Sequence, residues 1–275
     1  MDDRERSQFN RGVFEQAAAG YDQPALRFFA LTAEAMAATL ALTGGEQVLD
    51  VAAGTGHTAL ALARRLPRGK VTAIDISPAM LAVAAAKARA AGLPNIDFRE
   101  MDMLDLAFPD GGFDHAVCSY GIFFVEDMLG LLRAIAAKLK PGGSLVVSTF
   151  TDATFSPLVD LMGERLARHG LVLPPAPSKR VTSPEQCRSL FADAGLAEIV
   201  VDTKPAGYYL PTPEDWWSLI MGAAFRARIA RLPPEQVEDF RREHLADVAH
   251  LATKDGIWLE VSAIITRGVR KASAA

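Results

Sequence analysis

Two carboxylates and two glycines carry the clearest chemistry in this sequence. In the run Val48-Leu49-Asp50-Val51-Ala52-Ala53-Gly54-Thr55-Gly56-His57-Thr58-Ala59, an apolar segment passes through small residues into a helix-forming one. Gly54 and Gly56 open backbone conformations closed to larger residues and let a ligand approach the main chain. The spacing Gly54-x-Gly56-x-x-Ala59 fits a dinucleotide-binding fingerprint, although a ligand-free strand-to-helix turn uses the same glycines. Asp75 ends the next apolar segment, where a carboxylate accepts the hydroxyls of a ribose lying over the loop. Asp50 precedes the loop at a position that dinucleotide folds fill with an apolar residue. Its charge repels a pyrophosphate and suits a ligand bearing an ammonium and a sulfonium.

These residues need a scaffold, and residues 47–150 describe one. Short β-branched or apolar runs at 48–51, 71–74, 96–100, 116–119 and 144–150 alternate with helical segments at 58–66, 78–91 and 128–139. That alternation predicts a mostly parallel sheet covered by helices. Gly92 stops the second helix, and Pro141-Gly142-Gly143 turns the chain after the third. Beyond residue 150 the pattern predicts a helix over 157–169, a Pro-rich stretch at 173–177, and a helix opening at Ser183-Pro184-Glu185-Gln186 and ending at Gly195. A strand at 198–202, extending through Tyr208-Tyr209-Leu210, precedes helices starting near Thr212-Pro213 and Leu232-Pro233-Pro234. The last strand is predicted as one run over 257–266.

The chain of 275 residues is half apolar, which suffices for one elaborated domain. The 29 basic and 33 acidic residues leave a formal charge of −4, so nucleic acid is not the expected partner. Membrane insertion is not expected either, since no uncharged run reaches bilayer length. The charged N-terminus does not read as an export signal, which predicts a cytoplasmic location. Cys118 and Cys187, the only cysteines, form no CxxC pair, and no metal site is predicted.

At the quoted residues the sequence resembles the class I S-adenosylmethionine-dependent methyltransferases, and the ubiquinone and menaquinone biosynthesis C-methyltransferases in particular. The resemblance covers residues 14–150 and, more loosely, the remainder. Asp50 to Gly56 resembles the family's first motif, with Ala52 where a glycine is usual, and Val71 to Leu81 resembles the second, whose acid binds ribose. Asp102-Met103 is similar to the adenine-binding stretch. Residues 113–121 resemble the fourth strand and its exit loop, which places Ser119 and Tyr120 against donor or acceptor. Phe14 to Asp22 resembles an aromatic segment that folds over the donor, with Tyr21 as a lid residue.

The resemblance implies an α/β, Rossmann-like, mostly parallel seven-stranded sheet with helices on both faces, an antiparallel last strand and an inserted helical cap. It implies a single domain over 1–275, with a core at about 40–150, 183–210 and 256–270 and cap segments at about 8–35, 151–182 and 211–255. The implied cofactor is S-adenosyl-L-methionine, held by Asp50, Ala52, Gly54, Thr55, Gly56, Asp75, Ile76, Met80, Asp102, Met103, Ser119, Tyr120 and Tyr21. The implied activity is methyl transfer to a small, apolar or aromatic acceptor.

Such a donor carries its own electrophile, so the protein mainly aligns and desolvates the partners and need not show a conspicuous catalytic residue. Tyr120 and His169 are the candidates for a base, while His57 and His115 read as structural. Phe123, Phe124 and Trp217 are the acceptor-facing candidates among the later aromatics. Two distant cysteines exclude arsenite chemistry. An NAD(P)-linked oxidoreductase and a non-catalytic nucleoside-binding protein stand as alternatives at this level.

Overall fold

A computed structural model describes residues 3–271. Five strands run parallel in the order β3-β2-β1-β4-β5: β1 (Gln47–Val51), β2 (Lys70–Asp75), β3 (Ile96–Glu100), β4 (Phe113–Ser119) and β5 (Leu139–Phe150). Val48, Leu49, Val51, Ala73, Ile74, Ala116 and Val117 have no exposed surface, as central strands covered on both faces require. The crossovers are α3 (His57–Ala63), α4 (Pro78–Ala90) and α5 (Met128–Lys138). Local chemistry sets their ends. The Ser77 hydroxyl caps α4 by accepting from the Met80 amide, with Pro78 in the first turn. Gly92, in the left-handed conformation at φ +65°, closes that helix.

The sheet is completed by β6 (Leu196–Pro205) and β9 (Ser262–Arg270), with β9 antiparallel to both β5 and β6 and lying between them. This gives the seven-stranded sheet with an antiparallel last strand. The helix α7 (Pro184–Asp193) enters through a capping box in which the Ser183 hydroxyl accepts from the Gln186 amide and the Gln186 side chain accepts in return.

One expectation needs correction. The predicted single strand over 257–266 is broken at Glu260-Val261. Its first part, β8 (Ile257–Leu259), pairs with β7 (Tyr208–Leu210) in a separate two-stranded ribbon, and only β9 enters the main sheet. The opposite pair breaks at the same level, because β6 ends before Ala206-Gly207. A side chain at Gly207 would come within 2.7 Å of the Trp258 ring, so the ribbon bends where only glycine fits.

Further helices complete the fold. They are α1 (Asp3–Ala17), α2 (Phe28–Ala38), α6 (Leu158–Arg168), α8 (Pro213–Gly222), the short α9 (Arg226–Ile229) and α10 (Val237–Ala249). Trp216 of α8 is fully buried, and its indole N–H donates to His244 Nε2 on α10 at 2.8 Å. Burial pushes the His244 imidazole down to about 4, so it serves as a neutral acceptor that ties two cap helices together. Among the described residues no helix is long and apolar enough to cross a membrane.

Candidate active site

Between β1 and β4 the order of the sheet reverses direction, and ligands of open α/β sheets collect at the carboxyl ends of strands beside such a switch. The glycine loop sits there. Gly54 and Gly56 have φ of +56° and +81°, and the loop is fastened by the Ala53 amide donating to the Ile74 carbonyl at 2.9 Å. Ala52 takes φ +58°, a conformation that costs a non-glycine residue about 1 kcal/mol. It is tolerated because Gly121 lies opposite: a Cβ there would stand 2.9 Å from that of Ala52.

The two glycines do different work. A Cβ on Gly56 would strike Ala84 at 2.8 Å, so this glycine lets α3 approach α4. A Cβ on Gly54 would meet nothing within 4 Å, and Gly54 lines an open cleft of about 80 Å³. The cleft is walled by Gly54, Ala52, Asp75, Ile76, Met80, Met101, Met103, Ser119 and Tyr120, and is roofed by Asn10 and Phe14 of α1 together with Tyr21 and Phe124.

Both acids flank this loop. Asp75, only 8% exposed, accepts from the Gly54 amide at 2.7 Å and the Ser77 amide at 2.9 Å. Burial pushes its carboxyl upward, and these amides oppose the shift. Asp50 is fully buried, and neither of its oxygens meets a hydrogen-bond donor at good geometry. Burial first, then the charge of Asp75, push it up to about 8, with the Ala59 amide pulling weakly the other way. No cation pairs with either acid among the described residues. A buried, orphaned carboxylate is costly to ionise and calls for a positively charged group to share the site.

Asp22 fastens the roof. Its carboxylate accepts from the Thr55 hydroxyl at 2.7 Å and contacts His57 Nε2 at 2.8 Å and Lys87 Nζ at 2.7 Å. Burial works against ionisation, but these partners outweigh it and hold the carboxyl below the usual range. The neighbouring Tyr21 stacks on Phe29 with ring centroids 4.7 Å apart.

Beyond Tyr21 and Tyr120 lies a second cavity of about 110 Å³, walled by Phe28, Phe29, Phe123, Phe124, Phe150, Phe155 and Phe225. Tyr120 has φ +52°, stacks on Phe150 at 4.1 Å and shares a 2.7 Å hydrogen bond with the Thr32 hydroxyl. Phe14, Tyr21, Tyr120 and Phe124 line both cavities, so the two spaces meet at this partition.

The geometry therefore brings together Ala52, Gly54, Asp75, Ile76, Met80, Met103, Ser119, Tyr120 and Tyr21 around the cleft, and it sets Phe123 and Phe124 against the aromatic space, whereas Asp50, fully buried, lines neither. It does not bring in several others. Thr55 points to Asp22 and Gly56 to α4. Asp102 turns one oxygen to the Leu104 amide at 3.0 Å, and its neighbours Met101 and Met103 line the cleft instead. His169 lies between α6 and α10, where Nε2 meets Glu243 at 3.2 Å, and Trp217 packs on Phe240, so neither lines either cavity. Tyr120 lines both, but burial pushes its phenol well above the ordinary value, which removes it as a base at neutral pH.

Sequence reasoning missed Asn10 and Met101 in the cleft and Phe28 and Phe29 in the aromatic wall. Asn10 and Phe14 lie four residues apart on one helix face, which is the signal that was present for them.

Residues 48–143 match a family model described as a methyltransferase domain. The chain is 43% identical over 105 residues to the demethylmenaquinone methyltransferase of Thermus thermophilus, which covers 38% of this chain and 47% of that enzyme. It thus spans about half the length of the curated relatives it matches. Among solved structures, the YcgJ protein of Bacillus subtilis superposes with a TM-score of 0.60 at 23% identity, covering 88% of this chain and 99% of that one. The [4+2]-cyclase SpnF superposes with a TM-score of 0.61 at 23% identity, covering 98% of this chain and 97% of that one. At these identities the two structures speak for the fold.

Proposed function

We propose that this protein, whose residues 48–143 match a methyltransferase domain model and are similar to a demethylmenaquinone methyltransferase, transfers a methyl group from S-adenosylmethionine to a flat, apolar or aromatic small molecule. The observation that carries the reading is the orphaned Asp50 carboxylate beside a glycine whose Cβ would fill the cleft. A pyrophosphate would add negative charge to a site already holding two buried acids, whereas an amino acid sulfonium supplies the missing positive charge. In this reading Asp75 receives the ribose hydroxyls, Gly54 leaves room for the nucleoside, and Met80, Met101 and Met103 give the adenine an apolar bed.

When bound, the cofactor supplies a methyl group on a positively charged sulfur, open to in-line attack. The chain's part is alignment and exclusion of water. Tyr21 and Phe14 close the cleft from above, and Tyr120 and Phe124 form the partition across which donor and acceptor face each other. The titratable side chains on the aromatic cavity are Tyr21, Tyr120 and Arg228, and burial pushes both tyrosines upward. With no histidine or carboxylate on that wall, the acceptor brings its own nucleophile, an ionised phenol or enol or an electron-rich carbon next to one.

Calorimetry with S-adenosylmethionine and with NADH tests the donor, and S-adenosylhomocysteine release across a panel of phenols and hydroquinones tests the transfer. Heat with the first ligand alone and release with at least one acceptor are expected. Heat with NADH alone would overturn the proposal.

A further inference from the structure

The aromatic cavity opens outward into a groove between α1, α9 and the Pro-rich segment at 173–177, and Phe14, Phe124 and Arg228 line both spaces. Among the described residues this groove carries five cations, Arg6, Lys179, Arg180, Arg228 and Arg231, and no acid lines it, although the chain as a whole is acidic. Three of the five are already engaged. Arg6 pairs with Glu126 at 2.7 Å, Lys179 pairs with Asp152 at 3.1 Å, and Arg180 donates to the carbonyls of Val125 and Glu126.

Arg228 and Arg231 are different. Arg228 is half-buried, and its guanidinium donates to the Pro174 carbonyl at 2.9 Å. Neither arginine pairs with a carboxylate among the described residues. Burial, and then the charge of Arg231, lower the pKa of Arg228, an effect that a bound anion would oppose. A guanidinium presents a planar fork that matches a carboxylate in two parallel hydrogen bonds.

We propose that the acceptor is an aromatic acid: its flat ring system occupies the phenylalanine-lined cavity and its carboxylate rests on Arg228 and Arg231 at the outer mouth. The inference builds on the methyl-transfer reading for the identity of the cavity, but its evidence is the pair of uncompensated cations. The uncharged wall grips the ring, and the arginines fix which end points toward Tyr120.

The test compares 6-hydroxy-2-naphthoate with 2-naphthol by calorimetry on the full chain, with and without S-adenosylhomocysteine. The naphthoate is expected to bind at least roughly tenfold more tightly, the scale of a charge-assisted pair. R228M and R231M should each shrink that preference, R231M without change in 2-naphthol affinity, while R228K should keep part of it. Raising the salt concentration should weaken naphthoate binding alone. Equal affinity for the two probes, binding of neither, or a preference that survives R228M would overturn the proposal. If R228M does not fold, R231M and the salt series decide, since Arg231 is exposed. Loss of donor binding with an intact naphthoate preference would count against methyl transfer and leave the anion subsite standing. Turnover of neutral acceptors without such a preference would do the reverse.

Discussion

Replacing Asp50 with Asn removes a buried titratable carboxyl without changing the shape of the side chain, and its consequence follows from the direction of the pKa shift. In the folded protein the carboxyl titrates at about 8, and in the unfolded chain near the ordinary value of 3.8. Between those values the native state holds a proton that the unfolded state has lost, so stability falls as pH rises. The contribution is fully present below pH ~4 and is gone once the pH has passed ~8. At ~1.4 kcal/mol per unit of pH, this single group costs about 2.5 kcal/mol of stability between pH 5 and pH 7. Urea unfolding of the ligand-free protein at pH 5, 6, 7 and 8 should show that loss in the wild type and a flatter profile in D50N. Donor binding adds a second readout. If the ammonium of the donor pairs with the ionised Asp50, binding at pH 7 should release about 0.9 proton, measurable by calorimetry in buffers of different ionisation enthalpy. D50N should release none and bind the donor more weakly. Parallel pH profiles for the two proteins, together with no proton release, would refute the assignment of Asp50 as the orphaned acid that receives the donor.

Three further substitutions probe the same architecture. Asp75→Ala should weaken donor affinity roughly 10- to 100-fold, the range for lost hydrogen bonds to a charged group, and unchanged affinity would remove the ribose role. Gly54→Val should abolish donor binding by filling the cleft, so a normal binding isotherm would place the ligand elsewhere. Asp22→Asn weakens contacts to His57 and Lys87 and should lower stability by about 1–2 kcal/mol while speeding donor release in stopped-flow measurements; release at the wild-type rate would show that the roof is held by other means.

The core strands were legible because their residues report burial directly. Short β-branched or apolar runs such as Val48-Leu49 and Val71 to Ile74, placed between helical segments, fit central parallel strands. Capping chemistry was equally readable at Ser183-Pro184, where the hydroxyl and proline mark the first turn locally. The broken strand at 257–270 was not legible, because Glu260-Val261 bends only in response to a ribbon formed with residues 50 positions away. In the site, Gly54 and Asp75 were readable from local spacing. Gly56, Thr55 and Asp102 fell in the right motifs yet face helix packing, the roof and a loop amide, since direction across a loop depends on backbone angles that spacing does not encode. The aromatic wall assembles Phe28, Phe123, Phe155 and Phe225 from segments nearly 200 residues apart, so no short pattern announces it.

The partition shared by the two cavities has a kinetic corollary. Because Phe14, Tyr21, Tyr120 and Phe124 border both, and Asp22 pins the segment carrying Tyr21, a change on one side of that partition is felt on the other. On the proposed function, donor and acceptor sides then exchange at coupled rates, although the aromatic space keeps its own outer mouth at Arg228.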